Sequence, residues 1–178
     1  MRNSLGIIVL GICFLFSCQS KIDKELEQIT PFEKYLSPNV VFDSLPKNAD
    51  SMLYQFAKGH PKHHKSEIYS YYATIILEKR KLGLKAAEVA DFYVDHYTVD
   101  KQRRMEQAMV AAHYYEVHGV LDKALKHYEI LNKEYEGQEV GKQAERMIFF
   151  IKKGIVTPED QLEYMLKQDS MNPTKSPF

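Results

Sequence analysis

The chain has 178 residues, 44% hydrophobic and 27% charged, enough for one ordinary globular domain or at most two small ones. Lysine plus arginine and aspartate plus glutamate both total 24, so the formal net charge is zero. That balance offers no bulk attraction to nucleic acid or to an anionic membrane surface, and it predicts mixed charges on solvated helix faces.

The first seventeen residues read as a targeting segment. Arg2 and Asn3 make a short basic, polar start, and residues 5–16 form an apolar or small run of signal-peptide length. The run is shorter than the about 20 residues a membrane-spanning helix needs. It ends in Leu15-Phe16-Ser17-Cys18, which resembles the bacterial lipobox, with Phe16 bulkier than the usual residue there. The resemblance implies cleavage before Cys18, a diacylglycerol on its sulfur and a fatty acyl group, such as palmitate, on its new amine. Two or more acyl chains anchor a protein stably. Gln19 is not the Asp that favours inner-membrane retention, so the expected place is the outer membrane, facing the periplasm. The remaining cysteine, Cys13, leaves with the signal segment, so the mature chain has no disulfide, no cysteine metal site and no cysteine nucleophile.

Residues 18–47 read as a lipid-anchored tether and irregular lead-in. Residues 22–29 are a candidate short helix, and Pro31, Pro38 and Pro46 predict extended segments after it. From Asn48 the apolar spacing is helical, over about 48–58, 66–81, 84–97, 101–118, 121–135, 139–153 and 158–168. Gly59, Gly83, Gly119, Gly137 and Gly154 each follow such a segment, where left-handed helix ends favour glycine. Asp100 and Thr157, the latter followed by Pro158, are placed to cap helix starts. No strand pattern competes, and residues 170–178 read as a disordered tail.

The segment is internally repetitive. Residues 85–93 and 123–131 align at an offset of 38, and both continue to a Tyr, at Tyr97 and Tyr135. Gly83, Gly119 and Gly154 are spaced by 36 and 35, near the about 34 residues of a tetratricopeptide repeat (TPR). Residues 105–138 resemble that family's motif through Ala112, Tyr115, Gly119, Ala124 and Tyr128, while Ala108, Leu131 and Glu136 depart from it. The junction at 135–145 resembles those of envelope repeat proteins, among them the helical-repeat lipoprotein of outer-membrane protein assembly and the Tol-Pal-associated repeat protein. The resemblance implies an all-α fold, a short α-solenoid of about three stacked TPR-like hairpins over residues 48–169. It also implies that helix A of the best repeat lines a partner groove through Glu106, Met109, His113 and Glu116. Tyr69, Tyr71, Tyr72, Tyr114 and Tyr115 are expected in the interhelix core or at its rim.

Catalytic patterns are wanting. There is no Walker loop, GxGxxG, GxSxG or Cys–His pair. His60, His63 and His64 sit in an interhelix turn with lysines and no carboxylate, which reads as a solvated basic turn. His127 with Glu129 reads as helix-surface chemistry, and Glu25/Glu27 and Glu159/Asp160 as helix-surface or helix-start acids. The expectation is therefore a lipid-anchored module that binds another envelope protein or peptide segment, without enzymatic activity, metal, cofactor or nucleic acid. A self-assembling structural lipoprotein and an unrecognised hydrolase or metal enzyme are the rival readings; the oligomeric state and the partner's identity stay open.

Overall fold

The computed structural model describes residues 21–37 and 42–171, which are all-α, with no strand among them. Cys18 and the signal segment, Pro38 and residues 172–178 lie outside the described residues. Residues 21–33 form α1, followed by a single 3-10 turn, Phe42–Ser44. Then come α2 (Ala49–Gly59), α3 (Ser66–Lys79), α4 (Gly83–His96), α5 (Lys101–Val117), α6 (Leu121–Glu134), α7 (Glu139–Lys152) and α8 (Pro158–Met171). Most of the bounds expected from sequence hold within two residues. No helix among the described residues is long and apolar enough to cross a membrane.

The chain divides into two compact units, one ending at Ile76 and the other beginning at Leu77. In the first, α1 runs through Pro31 rather than giving way to extended chain. Proline here falls in the last turn, where one lost N–H bond is tolerable, and burial of Ile29 and Phe32 holds the turn in place. Polar contacts add to this. His60 Nε2 lies 2.8 Å from Glu25, while Lys65 and the Tyr69 hydroxyl donate to Glu33 at 2.9 and 3.0 Å.

The second unit packs helices in series: α4 on α5, α5 on α6 and α6 on α7. Its core has two levels. Ala87, Ala90, Ala111, Tyr115 and Ala124 form one, and Val94, Ala108, Leu131, Tyr135 and Ala144 the other. Alanines at the crossings let backbones approach, and the tyrosines fill the space beside them. At the second level Arg104 joins three elements. Its guanidinium donates to the carbonyls of Val94 and Tyr97 at the end of α4 and takes both carboxylate oxygens of Glu134 at 3.0 Å. The expected caps are present: Asp100 accepts from the Arg103 N–H at 3.0 Å, and Thr157 from the Asp160 N–H at 3.1 Å.

Three turns in this unit are built alike. Leu82 N–H bonds Leu77 C=O, Val120 bonds Tyr115 and Ile155 bonds Phe150, each closing a helix end across five residues. The left-handed residue of each turn is Lys81 (φ 60°), Gly119 (φ 72°) and Gly154 (φ 71°). This corrects the expectation for Gly83, which instead begins α4, where a Cβ would lie 2.4 Å from the Tyr114 ring. Gly59 likewise is not left-handed; it closes α2. A left-handed lysine is strained where glycine is not. Lys81→Gly is therefore expected to raise stability by about 1 kcal/mol and Gly119→Ala to lower it by about as much, checked by urea denaturation.

Candidate functional site

Helices α5, α6 and α7 enclose a groove of about 410 Å³ in the second unit. Met109 and His113 contribute from α5, Tyr128 and Leu131 from α6, Val140 and Met147 from α7. Apart from Arg146, Gln143 and His113, the lining is apolar, and no carboxylate lines it. Met109 is 43% exposed, large for a methionine beside a core. Flexible thioether side chains suit a surface that adapts to an apolar ligand.

The structure brings together two of the four stripe residues expected from sequence, Met109 and His113. Glu116 stands behind the groove and acts through Tyr128, whose hydroxyl donates to it at 2.5 Å. Burial, and then the bond and charge of Glu116, push the Tyr128 phenol up, so it stays a neutral donor. Glu106 does not line the groove; it accepts from Gln102 at 2.9 Å along the helix. The groove walls on α6 and α7 were not read from the sequence, although Leu131, Ala144 and Met147 fall on apolar helix spacings there.

The repeat residues take structural places. Ala112, Tyr115 and Ala124 are buried, Gly119 supplies a left-handed turn, and Tyr128 is half-buried between groove and core. Tyr69, Tyr72 and Tyr115 are buried, and Tyr71 and Tyr114 half-buried.

The histidines differ from expectation. His127 is wholly buried rather than on the surface, with Nε2 donating to Asp91 at 2.9 Å and Nδ1 without a partner. Asp91 also accepts from Lys126 at 2.8 Å and from the Tyr115 hydroxyl at 3.3 Å. The His127 bond first, and Lys126 with it, hold the Asp91 carboxyl well below the usual carboxylate range against the opposing effect of burial. This cluster ties α4 to α6. In the first unit His60 is only 14% exposed, against Phe56 and paired with Glu25, so it is not a solvated turn residue. His63 and His64 lie in the interhelix turn, as expected, with their rings 4.3 Å apart. Burial, then the charges of His64, His60 and Lys65, lower the His63 pKa. No group of three His, Cys, Asp or Glu among the described residues is arranged to hold a metal ion.

A larger recess, about 510 Å³, lies in the first unit against α1 and α2, where Ile29, Met52 and Phe56 share the wall with charged side chains, Lys21, Glu25 and Lys58. The groove in the second unit has the lining that apolar side chains of a partner would bury. Comparison with protein-family models, with curated proteins and with solved structures finds no match to this chain.

Proposed function

We propose that this chain is a lipid-anchored cell-envelope protein, held by Cys18 in the outer membrane and facing the periplasm, whose TPR-like helical repeats bind another envelope protein without catalysing a reaction. The observation that carries the binding role is the groove formed by Met109, His113, Tyr128, Leu131, Val140 and Met147. The TPR-like reading is supported by the three equivalent turns, whose left-handed residues are spaced by 38 and 35 residues. The anchor reading is supported by the lipobox-like Leu15-Phe16-Ser17-Cys18 alone.

In-cell crosslinking with mass spectrometry tests both parts. The wild type is expected to fractionate with membrane and to crosslink one envelope protein through α5 and α7. Cys18→Ala should leave the membrane fraction. Met109→Asp with Met147→Asp should cut capture at least about tenfold, a loss of about 1.4 kcal/mol, while helix content stays unchanged. Capture that survives the double substitution would remove the groove from the reading. Identical fractionation of Cys18→Ala would remove the anchor.

A self-associating role has one specific feature in its favour: Leu162 and Leu166, one turn apart on α8, are 54% and 60% exposed. Sedimentation equilibrium of wild type and Leu162→Ser/Leu166→Ser decides it; a strict monomer at high concentration would end it.

A further inference from the structure

The two cysteines of the chain, Cys13 and Cys18, lie outside the described residues, so methionine supplies all the sulfur among them. Hydroperoxides oxidise thiols and thioethers by two electrons, and the folded units meet such oxidants at their methionines. Those methionines are not equally open. Met52, Met105, Met147 and Met165 are half-buried, whereas Met109 is 43% exposed. Met109 also lines the groove of the second unit, with Met147 contributed by α7. The most accessible of these thioethers therefore stands in the surface that carries the binding role.

Oxidation changes that surface in kind. A sulfoxide replaces a flexible apolar side chain with a polar one that bears a strong acceptor oxygen. The groove is suited to hold such an oxygen. Its polar lining residues, His113, Gln143 and Arg146, all carry N–H donors, and no carboxylate lines it. His113 follows Met109 by four residues, on the same face of α5. Arg146 pairs with the exposed Glu139 at 3.5 Å, a contact that competes weakly. The hydroxyl of Tyr128 is already given to Glu116 at 2.5 Å. A sulfoxide oxygen on Met109 thus has donors to hold it inside the groove, in the space that an apolar partner side chain needs.

We propose that Met109 is an oxidant-sensitive modification site, at which hydrogen peroxide turns the groove from apolar to polar and weakens its hold on a partner. This rests on the groove being a binding site and adds its regulation. The sulfur lone pair attacks one peroxide oxygen. The S–O bond forms as the O–O bond breaks, and the proton of the attacked oxygen passes to the departing hydroxide. Sulfur loses two electrons, and the peroxide is reduced to water. Methionine sulfoxide reductase with a dithiol returns the thioether, releasing water and the disulfide of the dithiol.

The test uses the chain from Gln19, which holds every described residue of both units and carries no lipid. It is treated with hydrogen peroxide, and the gain of one oxygen is mapped by peptide mass spectrometry. Met109 is expected to oxidise about fivefold faster than Met52, Met105 and Met165, in line with its exposure. Occupancy of the groove is read with the apolar dye anilinonaphthalene sulfonate, and Met109→Asp marks the groove's share of the signal by removing it. Oxidation of the wild type should weaken binding in that share about tenfold, the order expected when one large apolar side chain turns polar. Reductase with dithiothreitol should restore it. Met109→Leu, which has no sulfur there, should show the same affinity before and after peroxide. Equal oxidation rates across these methionines, or an equal peroxide loss in Met109→Leu, would overturn the proposal and leave the groove reading intact. A dye signal that neither Met109→Asp nor oxidation changes would show that the groove takes no apolar ligand, and the proposal would fall with that reading.

Discussion

Gly141→Ala is expected to destabilise the second unit by about 3 kcal/mol, although it adds one methyl group. Gly141 is buried in the first turn of α7, where a Cβ would lie 2.3 Å from the carbonyl oxygen of Tyr135 and 2.9 Å from its carbonyl carbon. Those are backbone atoms, and Tyr135 is held at both ends: its N–H bonds Leu131 at 3.0 Å and its hydroxyl bonds the Lys101 carbonyl at 2.7 Å. Relief requires α7 to move away from α6, which opens the core level around Leu131 and Ala144. Gly83→Ala is the control. Its Cβ meets the Tyr114 ring, which can swing aside, so the expected loss is smaller, about 1 kcal/mol. Denaturant unfolding of the two variants measures the difference. Equal losses would show that the α6–α7 turn yields as easily as a side chain.

Asp91→Ala should cost about 3 kcal/mol and flatten the acid limb of the stability curve. The side chain of Asp91 is 17% exposed and that of His127 not at all. Removing the carboxylate leaves the imidazole buried with neither nitrogen paired, since Nδ1 has no partner already. The sign of the pH effect follows from the depressed carboxyl of the folded chain. Its contribution is complete above the unfolded value of about 3.9 and is lost as pH falls through the lower folded value. Wild type should therefore lose stability steadily below about pH 4, and Asp91→Ala less steeply. Unfolding free energies measured across that range test it; parallel curves for the two proteins would show that Asp91 does not govern the acid limb.

The helix bounds were legible because their signals are local. Asp100, Thr157, Gly119 and Gly154 each act within a few residues of their own position, through a cap bond or a left-handed turn. The reading of Gly83 as a turn residue failed because its spacing from Gly119 imitates the repeat, whereas the true counterpart, Lys81, lies 38 residues away, the offset of the helical segments. The burial of His127 was hidden by its residue type, since its partner Asp91 is 36 residues distant. The repeat held the signal nevertheless. At an offset of 38, His127 aligns with Val89, Ala124 with Ala86, Leu131 with Tyr93 and Tyr135 with Tyr97, and all eight are buried. One wall of the groove was legible because one stripe of α5 supplies Met109 and His113. The rest comes from the placement of α7 against α6, set by side chains such as Val140 and Ala144 whose contacts no single helix reveals.

Serial packing in the second unit also bears on how fast it forms. The main partners α4 and α5, α5 and α6, α6 and α7 are neighbours along the chain, joined by short turns. Little loop entropy must be spent before each contact is made, so the search is local at every step. Helical topologies of this kind reach the native state in microseconds to milliseconds. Such speed means that the apolar surfaces of the second unit are exposed to solvent only briefly before its helices cover them.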